Sequence, residues 1–150
     1  LAQLPEGAEI LVIDQSAPDQ VAATAAFVAA LSDTRVAHHV LDVPGLPNAR
    51  NVGIARSRGD VLVFLDDDVR LHPGFFAGHL AEYGDPTVGA VAGRIDETKD
   101  RPNAAKTMNR VGRDGRVRTN LSGRSPVAID TVKGANHSVR RRVFEQIGGY

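Results

Sequence analysis

The chain has 150 residues, of which 42% are apolar and 24% charged, and this composition indicates a globular domain with a hydrophobic core rather than a disordered or collagen-like chain. Its 18 basic side chains balance 18 acidic ones, and its longest strongly apolar run, Val61 to Leu65, is far shorter than the ~20 residues that span a membrane. The absence of cysteine excludes disulfides, thiolate zinc sites and cysteine nucleophiles.

The first part of the chain alternates predicted strands with predicted helices. The strands are expected at 9–14, 35–43, 60–65 and 87–93, and the helices at 21–31, 48–58 and 73–83. Continuous apolar runs without alternation are typical of strands buried on both faces of a parallel sheet. Asp19 and Asn48 are suitable N-caps for the first two helices, and Pro73 suits the first turn of the third. This order predicts an α/β fold with a mainly parallel sheet, helices on both faces, and ligands beyond the carboxyl ends of the strands.

The remainder of the chain is basic and less regular. Residues 94–142 carry 13 basic and 5 acidic side chains, whereas residues 1–93 carry 5 basic and 12 acidic ones. This asymmetry indicates a cleft in which a metal meets a phosphorylated ligand, or chance patterning of solvated faces, but not a uniformly basic nucleic-acid surface. Because 94–130 has no sustained periodicity, we interpret it as a basic insert that faces the ligand. A strand at 128–132, a turn at 133–138 and a helix at 139–147 are then expected, the last closed by two glycines.

Three adjacent acids follow the buried strand at 60–65. Asp66, Asp67 and Asp68 repel one another if all are ionised, and a hard divalent cation with oxygen ligands would relieve that repulsion. Mg²⁺ or Mn²⁺ shared with substrate phosphates suits a site that supplies only one or two carboxylates. The alternative is an acidic turn that is merely solvated.

Three other polar residues are expected at the same edge of the sheet. Asp14 ends the first strand, and Arg50 and Asn51 lie near the start of a helix. A guanidinium group and an amide suit a base or a diphosphate, although both residues would equally serve to cap the helix and pair with surface acids.

Four motifs occur in order along the chain: EILVIDQS, GLPNARNVGIARSRGDVLVFLDDDV, VGAVAGRI and KGANHSVRRRVFEQIGGY. Their order, spacing and strand context resemble the family 2 glycosyltransferases with the Rossmann-like GT-A fold, over essentially the whole chain. The resemblance implies an inverting enzyme that transfers a sugar from a nucleoside-diphosphate donor, most commonly a UDP-sugar, to a glycan, lipid or other hydroxyl acceptor, as in polysaccharide biosynthesis. It also implies Mn²⁺ or Mg²⁺ as cofactor.

The resemblance implies nucleotide and metal roles for the acidic residues. Asp14 would contact the nucleotide base. Asp66, the first acid of the DXD motif, would face the ribose and the donor and, together with Asp68, hold the metal that bridges the diphosphate. Asp67 would be the variable middle residue of the motif.

Further matches concern the nucleotide pocket and the sugar. Arg50 and Asn51 would help to line the nucleotide pocket. Gly134, Ala135 and Asn136 match the GAN turn that lies near the donor sugar and the acceptor in this family.

The resemblance also bears on both ends of the sequence. Arg140 and Arg141 match the paired arginines that follow the GAN turn. The general base that takes the acceptor proton is expected beyond Tyr150, so no catalytic base is assigned here. The opening segment LAQLPEGAEILVIDQS resembles the end of the first helix and the second strand of the family, so we interpret residues 1–150 as a partial GT-A domain that lacks its first strand and the region of the base.

Other function classes remain open at this point. A degenerate GT-A module would bind nucleotide without turnover. The segment VLVFLDDDVR also resembles the opening of haloacid-dehalogenase-type phosphatases, although Arg70 stands where that signature has Thr or Val. A nucleotidyltransferase would be expected to open with a Gly-rich, basic loop. The expected partners are a nucleotide sugar and a glycan or lipid-linked acceptor, not nucleic acid, and the expected location is the cytoplasm, including the inner face of a membrane.

Overall fold

The computed structural model describes residues 1–95, 109–118, 126–132 and 134–150, which form a mixed α/β structure. Within these ranges the elements are β1 (Ile10–Asp14), α1 (Pro18–Leu31), β2 (Val36–Val40), α2 (Leu46–Arg56), β3 (Val61–Leu65), α3 (Phe75–Glu82), β4 (Ala90–Ala92), β5 (Arg110–Val111), β6 (Val117–Arg118), β7 (Asn136–Arg140) and α4 (Arg141–Ile147). They belong to two compact units. Unit 1 comprises Leu1–Leu62 and Arg141–Tyr150, and unit 2 comprises Val63–Arg140.

Unit 1 contains the predicted strand-helix-strand arrangement. β1 pairs with β2 in parallel, from Ile10 opposite Val36 to Asp14 opposite Val40. The apolar run before Asp14 therefore forms a parallel strand, as its composition predicts, but its four apolar residues are half-buried rather than buried on both faces.

The first helix begins two residues earlier than a cap at Asp19 requires. Pro18 is its first residue and Ala17 its N-cap, because the fixed φ of proline suits the first helical position and its missing N–H costs nothing there. The prediction of Asp19 as N-cap is therefore wrong. Asp19 lies in the first turn, where a carboxylate interacts favourably with the helix dipole.

The second helix also begins before its predicted cap. Gly45 is the N-cap of α2, and Pro47 occupies its first turn, so Asn48 is a helical residue and not the cap. The Nδ2 group of Asn48 donates a hydrogen bond to the main-chain oxygen of Val43 at 3.3 Å.

The sheets are small and partly antiparallel, which corrects the expectation of a mainly parallel sheet. One sheet has the strand order β3-β7-β4, in which β4 is antiparallel to β7, and β5 and β6 form a separate antiparallel pair. Parallel neighbours need a crossover connection, usually a helix, and the sequence between β4 and β7 carries no sustained helical periodicity.

The predicted strand at 128–132 is wrong. The strand is β7, at 136–140, which falls mostly within the predicted turn. Its sequence, NHSVR, looks polar, yet His137 is 1% exposed and its ring stacks on Phe64 with 4.8 Å between centroids. Tertiary burial has overridden local propensity here. The closing glycines are confirmed, since Gly148 and Gly149 have φ of 87° and 107°.

The buried interior combines apolar and polar side chains. Among the described residues the buried apolar ones are Ala49, Leu62, Tyr83, Val139 and Phe144, and the buried polar ones are Asp14, His79, Asn109, His137 and Ser138. A buried polar group without a hydrogen bond carries a large desolvation cost, and the side chains of Asp14, His79 and Ser138 each have a hydrogen-bond partner.

Two predictions concern regions that the description covers only in part. Most of the basic insert, residues 96–108 and 119–125, lies outside the described residues, as does position 133 of the predicted turn. In the described parts of the chain, no helix combines the length and the apolar character needed to cross a membrane.

Candidate functional site

The predicted site residues are divided between the two units. Unit 1 contains Asp14, Arg50 and Asn51, and unit 2 contains Asp66, Asp67, Asp68, Gly134, Ala135 and Asn136.

The three adjacent acids follow β3 directly. Asp66, Asp67 and Asp68 are all exposed, and the last two lie in a turn. Within the described residues, no ion pair or hydrogen bond joins them to another side chain, and no group of three or more His, Asp or Glu side chains is arranged to hold a metal ion. Exposed, unengaged carboxylates fit a Mg²⁺ or Mn²⁺ that takes its remaining oxygen ligands from substrate phosphates and water.

Asp14 is held in a very different environment. It is only 6% exposed; its Oδ1 accepts a hydrogen bond from the Ser16 main-chain N–H at 2.8 Å, and its Oδ2 lies 2.9 Å from Nε2 of His38. Hydrogen bonds from the side chain and main chain of Ser16, with a smaller contribution from His38, lower the pKa of Asp14 from 3.8 to about 2. Asp14 is therefore ionised at neutral pH.

His38 is a partner that the sequence pattern alone does not identify. In the β1–β2 register Asp14 lies opposite Val40 and Val12 lies opposite His38. Residues two apart on a strand share a face, so His38 lies diagonally beside Asp14 on one face of the pair. The register is the missing information, because the two residues are 24 positions apart.

Arg50 and Asn51 both contact Tyr150. Oδ1 of Asn51 accepts a hydrogen bond from the Tyr150 N–H at 2.8 Å, and its Nδ2 donates to the main-chain oxygen of Tyr150 at 3.1 Å. The Arg50 guanidinium carbon lies 4.9 Å from the centroid of the Tyr150 ring, and burial raises the pKa of that phenol. These contacts hold the segment that follows α4, and the nucleotide role of both residues stays a prediction.

Asn136 has both ends of its side-chain amide engaged. Its Nδ2 donates a hydrogen bond to the main-chain oxygen of Arg94 at 2.8 Å, and its Oδ1 lies 2.8 Å from Nε2 of His79. Gly134 and Ala135 form the turn immediately before β7. Gly93 lies against the Asn136 amide so closely that a Cβ there would collide with it.

A buried polar cluster lies beside this turn, within unit 2, and the sequence analysis does not identify it; its members are His79, Tyr83, Asn136 and Ser138. Nδ1 of His79 lies 2.8 Å from Oγ of Ser138, and the Tyr83 hydroxyl lies 2.8 Å from the same oxygen. His79 is 4% exposed and Ser138 is fully buried, and burial raises the pKa of Tyr83. The sequence does carry one signal, since Phe75, His79 and Tyr83 recur at the i, i+4, i+8 spacing of one helix face.

Arg140 anchors the end of β7 to the segment after α3. Its Nε donates a hydrogen bond to the main-chain oxygen of Val88 at 2.8 Å, and its Nη2 donates to those of Tyr83 at 2.6 Å and Asp85 at 3.1 Å. Its guanidinium carbon also lies 4.8 Å from the centroid of the Tyr83 ring.

Arg141, the first residue of α4, forms hydrogen bonds with the end of α2 and the residues that follow it. Its Nε donates to the main-chain oxygen of Gly59 at 2.9 Å, its Nη1 to that of Ile54 at 3.2 Å and its Nη2 to Oγ of Ser57 at 2.9 Å. A cation at a helix C-terminus interacts favourably with the helix dipole and satisfies free carbonyl groups. The two arginines that match the family pair thus have structural partners, each within its own unit.

Comparison with known proteins places these features in context. The sequence model of the family described as "Glycosyl transferase family 2" matches residues 1–148. Two proteins of Mycobacterium tuberculosis, from the strains CDC 1551 and H37Rv and both named pre-mycofactocin glycosyltransferase, are 37% identical to this chain over 89 residues. That match covers 59% of this chain and 18% of the length of each relative. No solved structure shows significant similarity.

Proposed function

Because the chain belongs to glycosyl transferase family 2, an enzyme family, we propose that it is part of a GT-A domain that transfers a sugar, with inversion, from a nucleoside-diphosphate donor to a hydroxyl acceptor. The observation that carries the proposal is the set of three exposed carboxylates directly after β3. An acidic turn with no protein partner among the described residues suits a ligand that brings its own positive charge.

In this proposal Asp66 and Asp68 hold Mn²⁺ or Mg²⁺, and Asp67 is the variable middle residue. The bound metal would neutralise the negative charge that develops on the diphosphate as it leaves. Asp66 also faces the ribose. The support is the chemistry of the donor set, since carboxylate oxygens are the preferred ligands of both cations.

The nucleotide is assigned to residues of unit 1. Asp14 accepts a hydrogen bond from an N–H of the base, for which an ionised carboxylate has capacity left: it offers about four lone-pair positions, and its contacts with Ser16 and His38 occupy some of them. Uracil and guanine both present such an N–H group. Arg50 and Asn51 line the nucleotide pocket.

The sugar and the acceptor are assigned to the turn before β7. Gly134, Ala135 and Asn136 lie near the donor sugar in this proposal. The acceptor is a glycan, a lipid-linked glycan or another hydroxyl compound, in the cytoplasm or at the inner face of a membrane. Pre-mycofactocin is a specific acceptor to test, since two relatives carry its name.

The test is a calorimetric titration of the intact protein with UDP and with GDP, first with Mn²⁺ and then with the metal chelated. We expect binding that requires the metal, and the tighter of the two identifies the nucleotide of the donor. The variant Asp68→Ala should lose metal-dependent binding, whereas the matched control Asp67→Ala should keep it.

Three outcomes separate the alternatives. Unchanged binding in Asp68→Ala would remove the metal assignment. Failure of the folded protein to bind any nucleoside diphosphate would overturn the donor proposal. Binding without transfer to any acceptor, glycan, lipid-linked or pre-mycofactocin, would favour a nucleotide-binding module without turnover.

A further inference from the structure

The hydrogen bonds of the buried cluster run in a single direction. The main-chain oxygen of Arg94 can only accept, so the Asn136 amide must present Nδ2 to it and Oδ1 to His79. Because Oδ1 can only accept, Nε2 of His79 must carry a proton.

The other ring nitrogen extends the same chain. In the neutral imidazole a proton on Nε2 leaves Nδ1 as an acceptor, so the Ser138 hydroxyl donates to His79. Oγ of Ser138 then accepts from the Tyr83 hydroxyl. One main-chain carbonyl thereby fixes the orientation of the Asn136 amide and the proton on Nε2 of His79, and in the neutral ring it also sets the direction of the bonds to Ser138 and Tyr83.

The surroundings prevent Asn136 from taking another position. His79 is 4% exposed, so a cluster member that lost its partner would be left unsatisfied in a buried place. On the other side Gly93 has no side chain and the Asn136 amide occupies that space. His79 therefore helps to hold the rotamer of Asn136, together with Gly93 and the main-chain oxygen of Arg94, and Asn136 follows Gly134 and Ala135 in the chain.

We propose that His79 is a positioning residue for donor binding: it holds Asn136, and through it the turn formed by Gly134 and Ala135, in the conformation that receives the donor sugar. This inference rests on the proposed function, in which that turn contacts the donor. His79 itself touches no ligand in this scheme. Its contribution is preorganisation, since a turn that is already ordered pays less conformational entropy when the donor binds.

Two substitutions of His79 each keep one of its two hydrogen bonds and remove the other. In His79→Gln the amide nitrogen reaches the position of Nε2 and keeps the bond to Asn136 while losing the bond to Ser138. In His79→Asn the shorter amide reaches only the position of Nδ1, so it keeps Ser138 and loses Asn136. Both variants remove the ring and one bond; they differ in which partner is lost, in one methylene and in helix propensity, and the urea midpoint accounts for the last two.

The measurement is the Kd of the intact protein for a metal-bound UDP-sugar or GDP-sugar, beside the urea midpoint of each variant. We expect His79→Asn to weaken donor binding about tenfold, the effect of losing one buried hydrogen bond, and His79→Gln to bind as the wild type does. Ser138→Ala should lower the urea midpoint and leave the donor Kd unchanged. Gly93→Ala, which displaces Asn136 without altering His79, should weaken binding as His79→Asn does.

The ¹⁵N spectrum of His79 supplies a readout that does not depend on the donor, and the proton is expected on Nε2. The inference is overturned if the proton is on Nδ1, if His79→Asn binds donor as tightly as His79→Gln, or if the donor Kd follows the urea midpoint across all four variants. It also falls if the wild type binds no nucleotide sugar, and in that case the proposed function fails with it. Normal wild-type binding together with equal Kd values in the two His79 variants overturns the positioning role alone.

Discussion

Asp14 and the Asp66 to Asp68 group occupy equivalent places in the chain, since each comes at the carboxyl end of an apolar strand, β1 or β3. Their environments are opposite. Asp14 is 6% exposed and engaged by Ser16 and His38, whereas the three later acids are exposed and make no hydrogen bond or ion pair with another described side chain. The same place in the chain therefore gives an acid that the fold holds in one case and exposed acids in the other, and only the partners show which.

Of the substitutions at these acids and their partners, the removal of Asp14 should reduce stability most. Asp14→Ala leaves the Ser16 N–H and the ring of His38 without their acceptor, and we expect a loss of about 2 kcal/mol in the free energy of unfolding. Urea denaturation measures this. The matched control, Asp67→Ala, removes an exposed carboxylate and should change stability by less than about 0.5 kcal/mol. Equal effects of the two substitutions would contradict the contrast.

The next largest effect is expected on the pH dependence of the protein's stability. The pKa of Asp14 is about 2 in the folded protein, below its ordinary value of 3.8, so its charge stabilises the fold above about pH 4 and that contribution is lost as the pH falls towards 2. We expect Asp14→Asn to lose less stability than the wild type between about pH 5 and about pH 3 in urea titrations. The dependence should shrink without vanishing, because hydrogen bonds to Arg35 and Arg58 also lower the pKa of Asp33 and Glu9. An identical slope in both proteins would show that Asp14 is not engaged.

A smaller loss of stability is expected when His38, which bonds Asp14 from the neighbouring strand, is substituted. His38→Ala removes one of the two groups that bond Asp14, and we expect a loss of about 1 kcal/mol. His38→Gln places an amide N–H within reach of Oδ2 and should recover most of that loss. Thermal or urea unfolding at neutral pH distinguishes them, and a glutamine variant no more stable than the alanine one would argue against a specific bond.

The smallest effect on stability belongs to the exposed acids themselves. The double variant Asp66→Asn, Asp68→Asn should unfold within about 0.5 kcal/mol of the wild type when no ligand is present. Mn²⁺ with UDP should stabilise the wild type, because a ligand that binds only the folded state raises its stability, and should leave the double variant unchanged. Equal stabilisation of both proteins would place the metal elsewhere.

Local pattern predicts the parts of this fold that depend on neighbouring residues. The apolar runs that become β1 and β3 and the glycines after α4 are of this kind, and so is the location of three acids at the end of β3. The N-caps proposed at Asp19 and Asn48 failed because a proline beside each helix start outweighs a good capping side chain.

Features that depend on distant partners were missed. β7 looks polar in sequence because His137 and Ser138 are read as turn residues, and it becomes a buried strand through Phe64 and His79, which lie on other elements. The bond between Asp14 and His38 depends in the same way on the register of two strands. Residue types and spacing therefore predict where the acids lie, whereas only the structure shows which of them form hydrogen bonds with other residues.

The path of the chain through unit 1 has a consequence for how the protein folds. This unit is interrupted: it includes Leu1–Leu62, the chain then leaves it, and it returns to the unit at Arg141–Tyr150. Asn51 and Tyr150, which share two hydrogen bonds, are 99 positions apart, so forming them requires closing a long loop at an entropic cost. During synthesis β1, β2 and α2 emerge before α4, so the cap that Arg141 provides for α2 forms only after residue 141 has emerged. Prior folding of the intervening segment would shorten that loop and so speed the closure.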